Sequence, residues 1–334
     1  MPDYGAILSK SLGLIKKNKW LFVWGLMLAA FASGGGYSGT SNYTSSSSFD
    51  NFPKSIPEDL PEKTSYVLGI YTTGIAEWFK NVSPFVWFFL ILVVILAILF
   101  AFLIKLIITS WAKGGLIYGF EKAVNSEETT LKNTSPKGIK SIKNLIIFSI
   151  IMFLIFMGLF LVIPGIWGLV YLLFSQVKIL STLWVIVGVF GGIVLLFGSI
   201  IVLSMITIYA ERLIVLRSMA PWEAWKKALN ISKGNFLPTL VMGIINSIVG
   251  FGIGCAAMIV ALIVLGIPAY FLVYPSILAK KWPSPAVWIS LVILLLIFSL
   301  ASLFVKAFVV MFKYANWNQI FEYAIKKVEG GQND

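Results

Sequence analysis

The sequence predicts an all-α fold: a polytopic transmembrane helical bundle of about six spans, arranged as three repeated hairpins with amphipathic interfacial helices on the cytoplasmic side. Three observations predict it. The 334 residues are 59% hydrophobic and 12% charged, against roughly 45–50% apolar and 25% charged in a soluble domain. Six apolar runs recur along the chain, and its basic residues fall unevenly between them.

The runs cover about 20–34, 84–110, 144–164, 181–209, 236–266 and 285–312, most of them near the roughly 20 residues that cross a bilayer. The first is the shortest. Its Ala30-Phe31-Ala32, followed by Ser33 and Gly34, also resembles the end of a cleavable signal, and the threefold repeat argues for keeping it as a span. Residues 34–65 are rich in Gly, Ser and Thr and then in Pro, a composition that reads as a flexible outer loop. Residues 66–82, with Tyr71, Ile75, Trp78 and Phe79, read as a short interfacial helix leading back to the membrane.

Orientation follows from the cations. With the N-terminus in the cytoplasm, 18 Lys and Arg fall inside and six outside, and Lys105 and Lys306 lie within runs. The positive-inside rule then places both termini in the cytoplasm of a multi-pass protein of the cytoplasmic membrane.

Internal repetition groups the spans. A shift of 201 lays Ser83-Pro84-Phe85-Val86-Trp87 on Ser284-Pro285-Ala286-Val287-Trp288, Lys105 on Lys306, and Phe120-Glu121-Lys122-Ala123 on Phe321-Glu322-Tyr323-Ala324. A shift of 104 lays Ile163-Pro164 on Ile267-Pro268 and Trp184 on Trp288. The chain therefore reads as one integral membrane domain, 1–334, of three hairpins: 1–126, 127–220 and 221–334.

Each odd span follows a basic stretch of helical character: 12–20, 139–145 and 222–236. In the first, Tyr4, Ile7, Leu8, Leu12 and Ile15 share a face opposite Lys10, Lys16 and Lys17, with Trp20 next to the span. In the third, Pro221 suits a first helical position. There Trp222, Trp225 and Leu229 gather on one side, while Glu223, Lys226, Lys227 and Lys233 remain polar. Lysine and tryptophan together suit a headgroup region, so anionic phospholipid is the expected partner, with a protein partner or a second copy of the chain also open. Only Arg212 and Arg217 are arginines, which argues against a nucleic-acid face.

The run from Ala210-Glu211-Arg212-Leu213 through Trp222-Glu223-Ala224-Trp225-Lys226-Lys227 to Lys233-Gly234-Asn235-Phe236 resembles the membrane domain attached to some bacterial glycerophosphodiester phosphodiesterases, and related multi-span prokaryotic proteins. The resemblance implies a six-span module of the prokaryotic cytoplasmic membrane in which Glu211, Trp222 and Lys227 occupy motif positions. It does not imply hydrolysis, because the family's hydrolytic work belongs to a separate soluble barrel with histidines and metal-binding carboxylates.

Chemistry is sparse. Histidine is absent, which removes imidazole-based triads, proton shuttles and zinc sites. The single cysteine, Cys255, lies in an apolar run and reads as a small hydrophobe. No catalytic residue, metal or cofactor is expected, and the protein reads as non-enzymatic. Lys105 and Lys306 read as snorkelling to the inner face. A transporter or channel is the alternative, with Lys105, Lys306, Pro164 and Pro268 as its pathway residues, since matched proline breaks can mark sites in repeated folds. Glu211 and Arg212, at the end of the fourth run, can form an interfacial ion pair or a headgroup contact, with a local structural role the favoured reading. Gly188, Gly191 and Gly192, like Gly250 and Gly254, offer small-residue spacing for close helix approach.

Overall fold

The computed structural model describes residues 2–31, 83–174, 178–278 and 284–330, and all the regular secondary structure among them is helical. The loop and interfacial helix expected over 34–82 lie outside the described residues. In chain order the helices are α1 (Tyr4–Lys17), α2 (Leu21–Phe31), α3 (Pro84–Val124), α4 (Leu131–Phe174), α5 (Lys178–Arg217), α6 (Pro221–Gly234), α7 (Phe236–Ala261), a π-helical turn (Leu262–Gly266), α8 (Ile267–Leu278) and α9 (Pro285–Gly330). The described residues fall into two units, 83–105 in one and the rest in the other.

Five stretches are long and apolar enough to cross a membrane: Phe85–Val124, Leu131–Leu172, Val187–Arg217, Phe236–Ser276 and Pro285–Gly330. The chain is a multi-pass helical membrane protein. The stretch expected as the first span contributes the 11-residue α2, about 16 Å of helix against the roughly 30 Å of a hydrocarbon core.

Local chemistry fixes the helix ends. Asp3 caps α1 by accepting from the Ala6 N–H at 3.0 Å, and Lys16 and Lys17 complete its last turn, where cations complement the helix dipole. The two Ser-Pro pairs matched by the repeat each open a helix: Pro84 begins α3 and Pro285 begins α9. Proline suits that first position because its missing N–H has no helical acceptor there anyway. Ser126 ends α3 with φ +60°, the left-handed conformation that closes many helices.

Four helices run beyond the membrane's needs. At 41, 44, 40 and 46 residues, α3, α4, α5 and α9 measure about 60–69 Å, twice the hydrocarbon thickness. Burial divides them lengthwise. In α9, residues 286–305 are exposed or half-exposed, and from Ala307 to Ile325 most side chains are buried. In α5 the buried run spans Leu203–Val215, and in α4 Met152 is the last buried residue among those described. Apolar side chains facing hydrocarbon gain nothing from hiding from water, whereas a layer in contact with water is driven to bury them.

The buried layer has two cores. In one, Leu14 and Ile15 of α1 and Leu21, Trp24 and Leu28 of α2 pack on Leu116 and Phe120 of α3 and Met311 of α9. In the other, Leu145 and Phe148, Ile206 and Leu213, Ile231 of α6, Met242 of α7 and Phe321 of α9 meet. Each such side chain contributes about 1.5–3 kcal/mol. Backbones approach closely where glycine allows it: a Cβ on Gly114 would lie 2.8 Å from Gly138 Cα, and one on Gly115 would lie 2.7 Å from the Trp24 ring.

Several expectations are corrected. The basic stretch at 139–145 is no separate interfacial helix; it belongs to the first half of α4, where Ser141 and Leu145 are buried against neighbouring helices. Pro164 does not break the fourth helix, which runs through it to Phe174, because leaving the helix in hydrocarbon would expose more unpaired backbone than one proline does. Pro268 follows the π-helical turn at the start of α8, and the chain stays helical there too.

Candidate functional site

The basic ends of the helices carry the residues singled out by the sequence. In α6 Ala224, Ala228, Ile231 and Ser232 face the core, so the helix seats mainly on small residues. Small side chains let α6 lie close against the end of α5, with Trp222 turned outward and Trp225 half-buried against the core. Trp222 is 51% exposed. Its ring stacks on Trp225 at 5.0 Å and 13°, and Lys226 Nζ lies 5.6 Å from its centroid, within cation–π range.

The lysines divide by their partners. Lys226 and Lys233 are exposed. Lys227 Nζ lies 3.6 Å from Glu329 Oε1, and Glu329 also takes a two-pronged contact from Arg217, at 2.6 and 3.1 Å. The Lys227 motif position is thus engaged within the fold. Lys16, Lys17 and Trp20 are exposed around the α1–α2 junction, where Thr129 donates to Asn18 Oδ1 at 2.6 Å and ties the junction to the α3–α4 connection. Tyr4, at the other end of α1, donates to the Pro238 carbonyl at 3.4 Å. Lys16 lies about 18 Å further along α1, so α1 and α6 present two basic aromatic patches.

Glu211 and Arg212 do not form the expected pair. Glu211 accepts from Lys113 Nζ at 2.6 Å, because the Lys113 side chain arrives from α3 on the face Glu211 occupies. Arg212 points inward, 1% exposed. It donates to the carbonyls of Ile208 at 2.8 Å and Tyr314 at 3.4 Å, and its guanidinium lies 5.6 Å from the Tyr314 ring centroid. It is a link between α5 and α9, away from any headgroup.

Beside it runs a polar seam that the search for charges missed. Asn316 donates to Asn246 Oδ1 at 2.7 Å, Tyr209 and Thr239 share a short hydrogen bond, and Asn318 donates to the Ile117 carbonyl at 2.9 Å. Gln319 donates to Ser11 Oγ at 2.6 Å and to the Ile7 carbonyl at 3.1 Å. A signal was present: Asn246 stands alone in an apolar run, and a buried amide there needs a partner.

Of the pathway residues, Lys105 is half-buried and Lys306 exposed. Each stands where the exposed apolar part of its own helix ends, 20 residues or more after the helix begins. Pro164 is exposed and Pro268 half-buried. Cys255 is half-buried. Among the described residues, no three His, Cys, Asp or Glu side chains gather as a metal site would require.

These features place the chain among known proteins only by family. It belongs to a family of unknown function, DUF7544. The family model matches residues 15–316, which takes in the Trp222 stack, most of both cores and the Asn246–Asn316 part of the polar seam, while Ser11, Asn318 and Gln319 lie outside it. No curated protein and no solved structure matches the chain.

Proposed function

We propose that this DUF7544 member is a non-enzymatic protein of the cytoplasmic membrane whose basic interfacial helices hold anionic phospholipid, with both termini in the cytoplasm. The observation that carries this reading is the exposed Trp222 ring, stacked on the half-buried Trp225 with Lys226 over it, on a helix anchored by its alanine face. An indole pair at the headgroup level flanked by ammonium groups favours a lipid phosphate over a neutral headgroup. Lys16, Lys17 and Trp20 supply the second patch.

Six crossings are part of the proposal. The residues of α1 pack with Leu116 and Phe120 near the C-terminal end of α3, so both lie on one side of the membrane. The sixth is the first apolar run, 20–34, of which the structure describes α2 as far as Phe31. The lysine asymmetry and the internal repeats support three hairpins. Lys105 and Lys306 then sit at the inner boundary and snorkel, and the likeness to phosphodiesterase membrane domains is consistent with a module that serves the lipid surface.

The test is mass spectrometry of lipids retained by gently solubilised protein, comparing wild type with K16Q/K17Q/K226Q/K233Q. Lys227 is spared because it pairs with Glu329. Loss of anionic lipid from the variant is expected. Equal retention would reduce these helices to topology anchors.

A further inference from the structure

At the opposite end of α4 and α5 from the basic layer lies a cleft of about 370 Å³, lined by residues that include Ile163, Pro164, Trp167, Tyr171, Ile193 and Leu196. Its volume is in the range of small-ligand sites. One wall is built by glycine. A Cβ on Gly188 or Gly191 would come within 3.1 or 3.2 Å of the Trp167 ring, and one on Gly192 within 3.8 Å. The spacing expected to bring two backbones together instead seats an indole flat against α5. Trp167 fills the space that the glycine strip leaves open.

Depth and chemistry select the occupant. The cleft residues from Ile163 to Tyr171 come 11–19 positions after Met152, where the packed layer ends on α4, or about 17–28 Å along the helix. That is the half of the hydrocarbon remote from the basic layer, with Tyr171 at its far boundary, where an amphipathic ring belongs. Apart from the Tyr171 hydroxyl and the Trp167 indole, the lining offers aliphatic groups, proline and glycine. Water would lose hydrogen bonds there.

We propose that this cleft is a binding site for one alkyl chain of a phospholipid in the far leaflet, its headgroup beyond Tyr171 and the chain running past Trp167 toward Pro164. It is independent of the basic patches, which face the other leaflet.

The experiment uses full-length protein in nanodiscs doped with a phospholipid that carries a diazirine on its acyl chain, with adducts mapped by mass spectrometry. Bulk lipid labels in proportion to exposure and therefore prefers Leu169 and Val194, which are 65% and 69% exposed at the same depth. A seated chain labels Trp167 and Ile193 about tenfold more than those two positions. Filling the cleft with Ile193→Trp, or with Val189→Trp should the first variant not fold, removes the label from Trp167 and leaves Leu169 unchanged. Labelling that follows exposure, or cleft labelling indifferent to both filling variants, overturns the proposal. So does a diazirine fatty acid that labels the cleft ahead of the phospholipid, which would assign it to a free acid.

Discussion

Replacing Glu211 by Gln tests how charge is balanced in the packed layer. Glu211 is 9% exposed at its side chain and pairs with Lys113, which is 23% exposed, at 2.6 Å. Next to it Arg212 is 1% exposed and bonded to carbonyls. Removing one partner of a fully buried ion pair costs about 3–5 kcal/mol; the partial exposure of Lys113 lowers this to about 2–3 kcal/mol. Glu211→Gln leaves two cations with no carboxylate between them, and Arg212 cannot shed its proton. Lys113→Met instead leaves Glu211 beside Arg212, a neutral combination, and should cost about 1 kcal/mol. Reversible unfolding titrations in mixed micelles measure both. A Glu211→Gln variant as stable as wild type, or less destabilised than Lys113→Met, would refute the idea that Glu211 offsets Arg212 as well as Lys113.

Three further outcomes follow from the geometry. Gly114→Ala should destabilise by about 1–3 kcal/mol, because its methyl meets Gly138 backbone, whereas Gly13→Ala, with nothing within 4 Å of the new Cβ, should gain about 0.5–1 kcal/mol from helix propensity; the same titrations should show opposite signs. Asn246→Leu and Asn316→Leu should each cost about 1–3 kcal/mol by orphaning the other amide, and the double variant should cost less than their sum, as a double-mutant cycle will show. Ser126→Gly relieves a serine held at φ +60° and should stabilise by about 1 kcal/mol, read as a raised unfolding midpoint.

The helical class and the five long apolar helices were legible because hydropathy reads preference for hydrocarbon directly. The second half of each long helix was not. Ala112, Leu116, Ile117 and Phe120 are as apolar as the residues before Lys105, yet they are buried by protein, and composition does not distinguish a lipid neighbour from a side chain. The Ser-Pro starts of α3 and α9 were legible because proline has a fixed place in a helix. The packed face of α6 was not legible, because the alanines through which it docks carry little hydrophobic weight but permit close approach.

The polar residues show the same limit in another form. Asn316, Asn318 and Gln319 lie just beyond the sixth apolar run, and all three are at most 8% exposed. In water such a stretch would be surface; beneath a membrane, long helices extended by about 30 Å beyond the hydrocarbon need specific contacts to fix their register against one another. Apolar packing alone tolerates sliding by a turn, whereas each buried amide loses its partner on such a slide. The Asn246–Asn316 and Gln319–Ser11 bonds tie α7 and α1 to α9 at defined positions, and Arg212 does the same between α5 and α9. The polar seam therefore fixes α1, α5 and α7 against α9 at one register.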